Sequence, residues 1–211
     1  MRLPVAGFAL LFCACTLGTS TVAHPATNAA TARTVVLQAG DVAGVQKCPQ
    51  SDKWADLMLN GEPEMLPTGF ATWPDLKAEG ATDGWLSLYA GSEAECPLLI
   101  GFSPPKTPLV YSAVITFKDA PAAAASYEFV SKGFPVAPAF AARFAAAGGT
   151  VTSGATTGLG DHAVVARITM RGVPTYVAYW QDRNFDAVLY ADNLADSDAA
   201  TAISKMKARI H

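Results

Sequence analysis

Few side chains in this 211-residue chain stand at spacings that demand a reaction. Asp161 and His162 are neighbours after a Gly158-Leu159-Gly160 run and offer, in principle, an acid/base pair or two weak metal ligands. Adjacent residues on a turn diverge, so a plain turn role is the simpler reading. A Ser-His-Asp hydrolase needs a nucleophile elbow, and no Gly-x-Ser-x-Gly occurs; His162 is also the only histidine interior to the mature chain. No Cys/His cluster has zinc spacing, and Gly158 to Gly160 lacks the strand before and the lysine after that a phosphate loop requires. The expectation is no metal and no cofactor. Trp54, Trp73, Trp85 and Trp180 read as core residues, although carbohydrate- and peptide-binding modules use such rings as ligand platforms.

Cysteine usage and the N-terminus speak to compartment. Met1 to Leu17 carries Arg2 and then an apolar run from Val5 to Cys15, too short to span a bilayer and typical of a secretory signal. Two fates fit. Thr21-Val22-Ala23 resembles an ordinary cleavage site, giving a signal peptide over 1–23; Phe12-Cys13-Ala14-Cys15 resembles a lipoprotein box, giving a signal over 1–14 and a lipid anchor on Cys15. Residues 24–35 are rich in Thr, Ala and Asn and read as a disordered tether. Cys48 and Cys96 remain beyond the signal, and in an oxidising compartment they pair most simply as a disulfide. A formal net charge of −3 with only 15 Lys plus Arg leaves no basic patch for nucleic acid. No second apolar segment is long enough to cross a membrane, so the mature chain is expected to have no transmembrane span.

The elements that must position any site are clearest towards the C-terminus. Ala163 to Met170, Thr175 to Gln181 and Phe185 to Tyr190 alternate as strands joined by Gly172-Val173-Pro174 and Asp182-Arg183-Asn184, with Asn184 a left-handed candidate. They predict an antiparallel meander. A helix follows from Asp196, with Asp196, Ser197 and Asp198 at its N-cap and first turn and Ala199, Ile203, Met206 and Ile210 as its apolar stripe. Earlier, Val35 to Gln38 reads as a short strand, Asp52 to Leu59 as helix or irregular, and Trp73 to Lys77 as a short helix capped by Thr72 and closed by Gly80. Asp83-Gly84 reads as a turn into a strand from Trp85, and Pro97 to Phe102 as another strand before a Pro-rich linker over 103–108. Leu109 to Lys118 predicts a strand with Leu109, Tyr111, Ala113, Ile115 and Phe117 facing the core. Asp119 caps a helix over Ala120 to Lys132 whose inner face carries Ala122, Ala125, Phe129 and Val130. A second Ala-rich helix spans about Ala137 to Ala147, and Thr150 to Ser153 reads as a short strand. The whole is an α+β fold: residues 36–211 form one domain with a single twisted antiparallel sheet and flanking helices, ending in a β-meander and a C-terminal helix.

The strand ending in Phe117, the Asp119-Ala120 helix start, and Gly158-Leu159-Gly160-Asp161 ahead of a meander and last helix resemble bacterial extracytoplasmic sensor-like domains. The stretch is similar to PknH-type extracellular sensor domains and to PsbP/Mog1-like lipoproteins of actinobacteria, over about residues 109–211. The resemblance implies a twisted antiparallel sheet flanked by helices with a ligand cleft. The chain departs from the sensor domains in having no kinase part and cysteines for one bridge only.

The functional expectation is therefore a non-catalytic binding or sensor-like module of the cell envelope, secreted, periplasmic or lipid-anchored, taking a small molecule, a glycan or an envelope component. An enzyme with a site built from scattered Asp, Tyr and Arg, or a structural interaction protein, are the competing classes. By strand alternation a ligand site would use the polar face of the meander, opposite the last helix: Arg167, Thr169, Tyr179, Gln181, Asp186 and Tyr190. Simple solvation of that face is the competing explanation.

Overall fold

The computed structural model describes residues 30–51, 73–100, 104–131, 142, 144–170 and 172–210. Its frame is one open antiparallel sheet of seven strands: β1 (Gln46–Lys47), β2 (Ala81–Ala90), β3 (Leu109–Phe117), β4 (Thr150–Ser153), β5 (Ala163–Met170), β6 (Val173–Asp182) and β7 (Phe185–Asp192). The spatial order is β1-β2-β3-β7-β6-β5-β4, so the C-terminal meander lies against β3 through β7 and continues outward to β4. The helices are α1 (Ala32–Val35), α2 (Trp73–Ala78), α3 (Ala120–Ser131) and α4 (Asp196–Ala208), which gives the α+β class with a single sheet.

The main core lies on the sheet face that α1 and α4 cover. Tyr89, Val110, Val114, Ala178, Trp180, Ala187 and Leu189 meet Ala32 and Val35 from one side and Ala199, Ala202, Ile203, Met206 and Ile210 from the other. The helical stripe read from the sequence is thus buried in full, with Ala202 added to it. The N-cap is Ala195, whose side chain makes no capping bond, and Asp196 and Asp198 fall in the first turn of α4. Below the helix C-terminus, Arg209 donates to both carboxylate oxygens of Asp41 (3.1 and 2.6 Å) and to the carbonyls of Val35 and Val36, while Lys205 donates to the carbonyls of Gly40 and Asp41.

The opposite face is buried too, in three smaller clusters. Cys48 and Cys96 sit with Leu88, Ala90 and Leu109; Leu76, Phe117, Ala122 and Ala123 form a second; Tyr127, Val164 and Tyr179 form a third beneath α3. Asp119 caps α3 by accepting the Ala122 N–H at 2.8 Å. The buried side of α3 is the expected Ala122 with Ala123, Ser126 and Tyr127, and Val130 is half-buried against the third cluster, whereas Ala125 and Phe129 face outward; Phe129 is 62% exposed. An Ala-rich helix carries a weak apolar bias on several faces, and here the aromatic stack beneath Tyr127 selects the docking side.

Several local expectations change for identifiable reasons. Val35 to Gln38 is not a strand: α1 ends at Val35, and the segment crosses the sheet face, where Ser112 Oγ accepts the Leu37 N–H and Ser87 Oγ donates to the Leu37 carbonyl, both at 2.9 Å. Two serine hydroxyls replace the ladder. The tether expected over 24–35 therefore ends earlier, because Ala32 and Val35 are buried. Asp83-Gly84 lies inside β2, where the register with β3 shifts between Ala81 and Asp83. Glu93–Ile100 is a 3-10 segment containing Pro97, which cannot donate to a ladder. Arg183, not Asn184, takes the left-handed conformation in the β6–β7 hairpin (φ 54°). On β3, Val110 and Val114 face the main core, while Leu109 and Phe117 fill the clusters on the other side. The signal and Cys15, the stretch 52–72, Phe102 and most of the helix expected over 137–147 lie outside the described residues.

Cys48 and Cys96 are joined, with Cα atoms 5.6 Å apart and a sequence separation of 48. Closing a loop of that length stabilises by about 4 kcal/mol in the chain-entropy model. The unreduced protein should take up no alkylating reagent at these positions, and Cys48→Ser with Cys96→Ser should lose stability of that order in chemical denaturation. Ile203 is fully buried beneath the sheet, so Ile203→Ala should lower unfolding free energy by about 2–5 kcal/mol; an unchanged thermal midpoint would contradict the docking of α4.

Candidate functional site

The six residues grouped by alternation do not share a face. Arg167 pairs with Tyr176 and Thr169 with Pro174, and Tyr176 belongs to the core under α4, so both candidates on β5 sit on the side of the last helix. The apolar run Val164-Val165-Ala166 is buried on both faces, which removes the alternation that would have shown which way Arg167 points. Arg167 donates through Nε to Asp196, its guanidinium lies 5.0 Å from the centre of the Tyr176 ring, and Thr150, Thr169 and Thr175 complete a small groove of about 160 Å³. Tyr179, Gln181, Asp186 and Tyr190 are on the other face, where the register pairs Gln181 with Asp186.

Tyr190 belongs to a closed network. Its ring stacks on Tyr111 at 5.3 Å, and its hydroxyl donates to Asp192 Oδ2 (3.3 Å), whose Oδ1 accepts from Thr175 Oγ1 at 2.6 Å. Burial raises the Asp192 carboxyl and pushes the Tyr111 hydroxyl up to about 12. Both Asp192 oxygens have a donor, and the arrangement reads as interior architecture.

Tyr179 and Asp186 are different. Tyr179 donates to Asp186 Oδ2 at 2.9 Å, but Asp186 Oδ1 is buried with no hydrogen-bond partner, as is Ser126 Oγ on the overlying α3. Burial pushes the Asp186 carboxyl up to about 7, opposed by the Tyr179 hydroxyl and the nearby Ser126, aided by the negative charge of Glu79, and opposed by His162. Burial also raises the Tyr179 hydroxyl well above its ordinary value, with the Asp186 charge adding to it. From Asp186 an aromatic column leads outward: Tyr179 stacks on Tyr127 at 5.3 Å, and Tyr127 stacks on His162 at 5.3 Å.

His162 lines an open cleft of about 460 Å³ where the start of β5, the β6–β7 hairpin and α4 converge, together with Leu159, Asp161, Gln181, Asp182, Arg183 and Lys207. Gln181 Oε1 lies 2.9 Å from His162 Nδ1, and Gln181 Nε2 donates to the Arg183 carbonyl. That bond assigns the proton to Nδ1 and leaves Nε2 as the acceptor of the neutral ring. Lys207 donates to the Leu159 carbonyl at 2.6 Å and stands 3.9 Å from Asp182. Arg183 is exposed, and its side chain enters no hydrogen bond or ion pair among the described residues. The cleft thus presents cations, carboxylates, an amide and an imidazole, which suits recognition of a polar molecule by several hydrogen bonds.

Of this constellation the sequence pointed to Gln181, Tyr179 and Asp186; it treated Asp161-His162 as a turn and passed over Tyr127 and Ser126. The only local signal for the last two was two polar residues inside an Ala-rich helix. Among the described residues no group of three His, Cys, Asp or Glu side chains can hold a metal ion, and no helix is long and apolar enough to cross a membrane.

Tyr179→Phe should raise the Asp186 pKa further, because it removes a hydrogen bond that favours the ionised form. It should also cost about 1–3 kcal/mol by leaving a second carboxylate oxygen unpaired, which denaturation at two pH values will show.

No protein-family profile matches the chain. No curated protein sequence matches it. Among solved structures, the extracellular domain of PknH from Mycobacterium tuberculosis is similar with a TM-score of 0.42 and 13% identity, over 67% of this chain and 71% of that one. No similarity found supports the PsbP/Mog1 part of the resemblance, and at this distance the likeness to the PknH domain assigns no family.

Proposed function

We propose that the chain is an exported, non-catalytic binding domain of the cell envelope that takes an acidic, hydroxyl-bearing small molecule, such as a glycan-derived sugar acid, in the cleft beside His162. The observation that carries this reading is how His162 is held. Gln181 fixes one ring nitrogen and Tyr127 backs the ring face, so Nε2 is presented from a pre-set position. Asp161 and Asp182 supply acceptors for hydroxyl groups, and Arg183 supplies a cation. Export is supported by the apolar Met1 to Leu17 segment and by the joined Cys48 and Cys96.

Arg183 adds an independent argument. A left-handed backbone at φ 54° costs an ordinary residue about 1 kcal/mol relative to glycine, yet this turn carries an exposed arginine. Retention of strain where a charge projects at a cleft rim fits a binding role.

Glucuronate, with glucose as the uncharged control, tests the reading by NMR titration. Glucuronate should shift the His162, Gln181 and Arg183 resonances, and glucose should bind at least about tenfold more weakly, the worth of one charge-assisted contact. Arg183→Gly should raise the thermal midpoint by relieving the turn while weakening glucuronate by a similar factor. Glucuronate binding that Arg183→Gly leaves unchanged, or no shift at the cleft, would refute the proposal.

A further inference from the structure

Asp186 occupies an unusual place for an acid. It lies on β7, the middle strand of seven, and is 3% exposed. Ser126, 1% exposed, comes down on it from α3. The groups that act on it from the surrounding elements are Tyr179 on β6, Ser126 and Tyr127 on α3, His162 at the start of β5, and Glu79 between α2 and β2, with Glu128 further along α3 acting on Tyr127. Among the described residues no Lys or Arg forms an ion pair with it.

An ionised carboxylate here would have one oxygen served by Tyr179 and the other, Oδ1, with no partner meeting hydrogen-bond geometry. Water is the usual remedy for a buried charge. The flanking strands β3 and β6 are hydrogen-bonded to β7 on either side, so the side from which water can be admitted on this face is that of α3. A carboxylic acid has no charge to solvate, so it tolerates this dry position far better than the ion does, whereas the Ser126 hydroxyl of α3 can donate or accept and serves either form.

We propose that Asp186 is a proton-binding site whose occupancy holds α3 on the sheet, and that loss of the proton loosens α3 and with it the Tyr127 ring that backs His162, weakening the cleft for its ligand. The last step rests on the cleft reading above; the proton site does not. The sign follows from linkage. With the folded carboxyl raised to about 7, the folded state keeps a proton that the unfolded chain, near its ordinary value, releases. Stability therefore falls as pH rises across the window from about 4 to about 7 and levels off above it.

The experiment compares the wild-type chain with Asp186→Asn, Glu79→Gln and His162→Gln between about pH 5 and about pH 9. Infrared spectroscopy should show a protonated-carboxyl stretch at the acid end that is lost on titration and is missing in Asp186→Asn. Amide exchange in α3, corrected for intrinsic base catalysis, should accelerate through the same transition in the wild type and stay slow in Asp186→Asn, whose amide remains a neutral donor. Glu79→Gln should move the midpoint to lower pH by removing a negative neighbour, which keeps the test decisive if Asp186→Asn does not fold. His162→Gln should retain the transition; its loss there would assign the titration to the imidazole and overturn the proposal, as would exchange in α3 that ignores the carboxyl band. Glucuronate affinity should fall at least about tenfold from the protonated to the ionised form, and not in Asp186→Asn. Absence of glucuronate binding at every pH would sink the cleft reading alone, while an affinity that does not follow the carboxyl band would sink the coupling.

Discussion

The pairing of β3 with β7 is the constraint on which the rest of the structure depends. One register, from Leu109 opposite Asp192 to Thr116 opposite Phe185, joins the β1–β3 half of the sheet to the meander. Closing so long a loop is entropically costly, and its reward is a β7 flanked by hydrogen-bonded strands and covered on both faces. Ala187, Leu189 and Ala191 fill the α4 side, and whatever β7 carries at alternate positions must be accommodated on the other. Those positions include Asp186 and Asp192. Two interior carboxyls are therefore a direct result of which strand became central.

The two acids are handled differently, and the contrast separates architecture from chemistry. Asp192 is enclosed by Thr175 and Tyr190, so its burial is compensated by donors on both oxygens. Asp186 has a donor on one oxygen only. A natural core that leaves one polar group incomplete while completing its near twin places a local departure from good packing next to the cleft, beside a hairpin in which Arg183 accepts an unfavourable backbone angle. Both departures lie at or just after the β6–β7 turn.

What the sequence made legible was what short-range periodicity encodes. The meander, α4 with its stripe, β3, and α3 with Asp119 as cap all follow from spacing and terminal chemistry within a dozen residues. Facing was harder. Val164-Val165-Ala166 is buried on both sides, so alternation could not place Arg167, and nothing local to Ala120–Ser131 says that Ser126 and Tyr127 point inward while Phe129 points out. The course of Leu37 was hidden for a related reason: its backbone partners, Ser87 and Ser112, lie far along the chain and are hydroxyls rather than another strand. The site suffered most, because His162, Tyr127, Tyr179 and Asp186 form a column only once the start of β5, α3, β6 and β7 have been brought together.

The clamp of Lys205 and Arg209 on residues 35–41 fixes an order of events. A ribosome delivers Ala32 to Asp41 first and α4 last, yet the early segment gains Arg209 on its carbonyls and on Asp41, and Ile203 and Met206 beside it in the core, only when the late one is present. The oldest part of the domain thus completes its contacts only when the youngest has docked. Until then its apolar Val35, Val36 and Leu37 lack the full cover that the folded domain gives them.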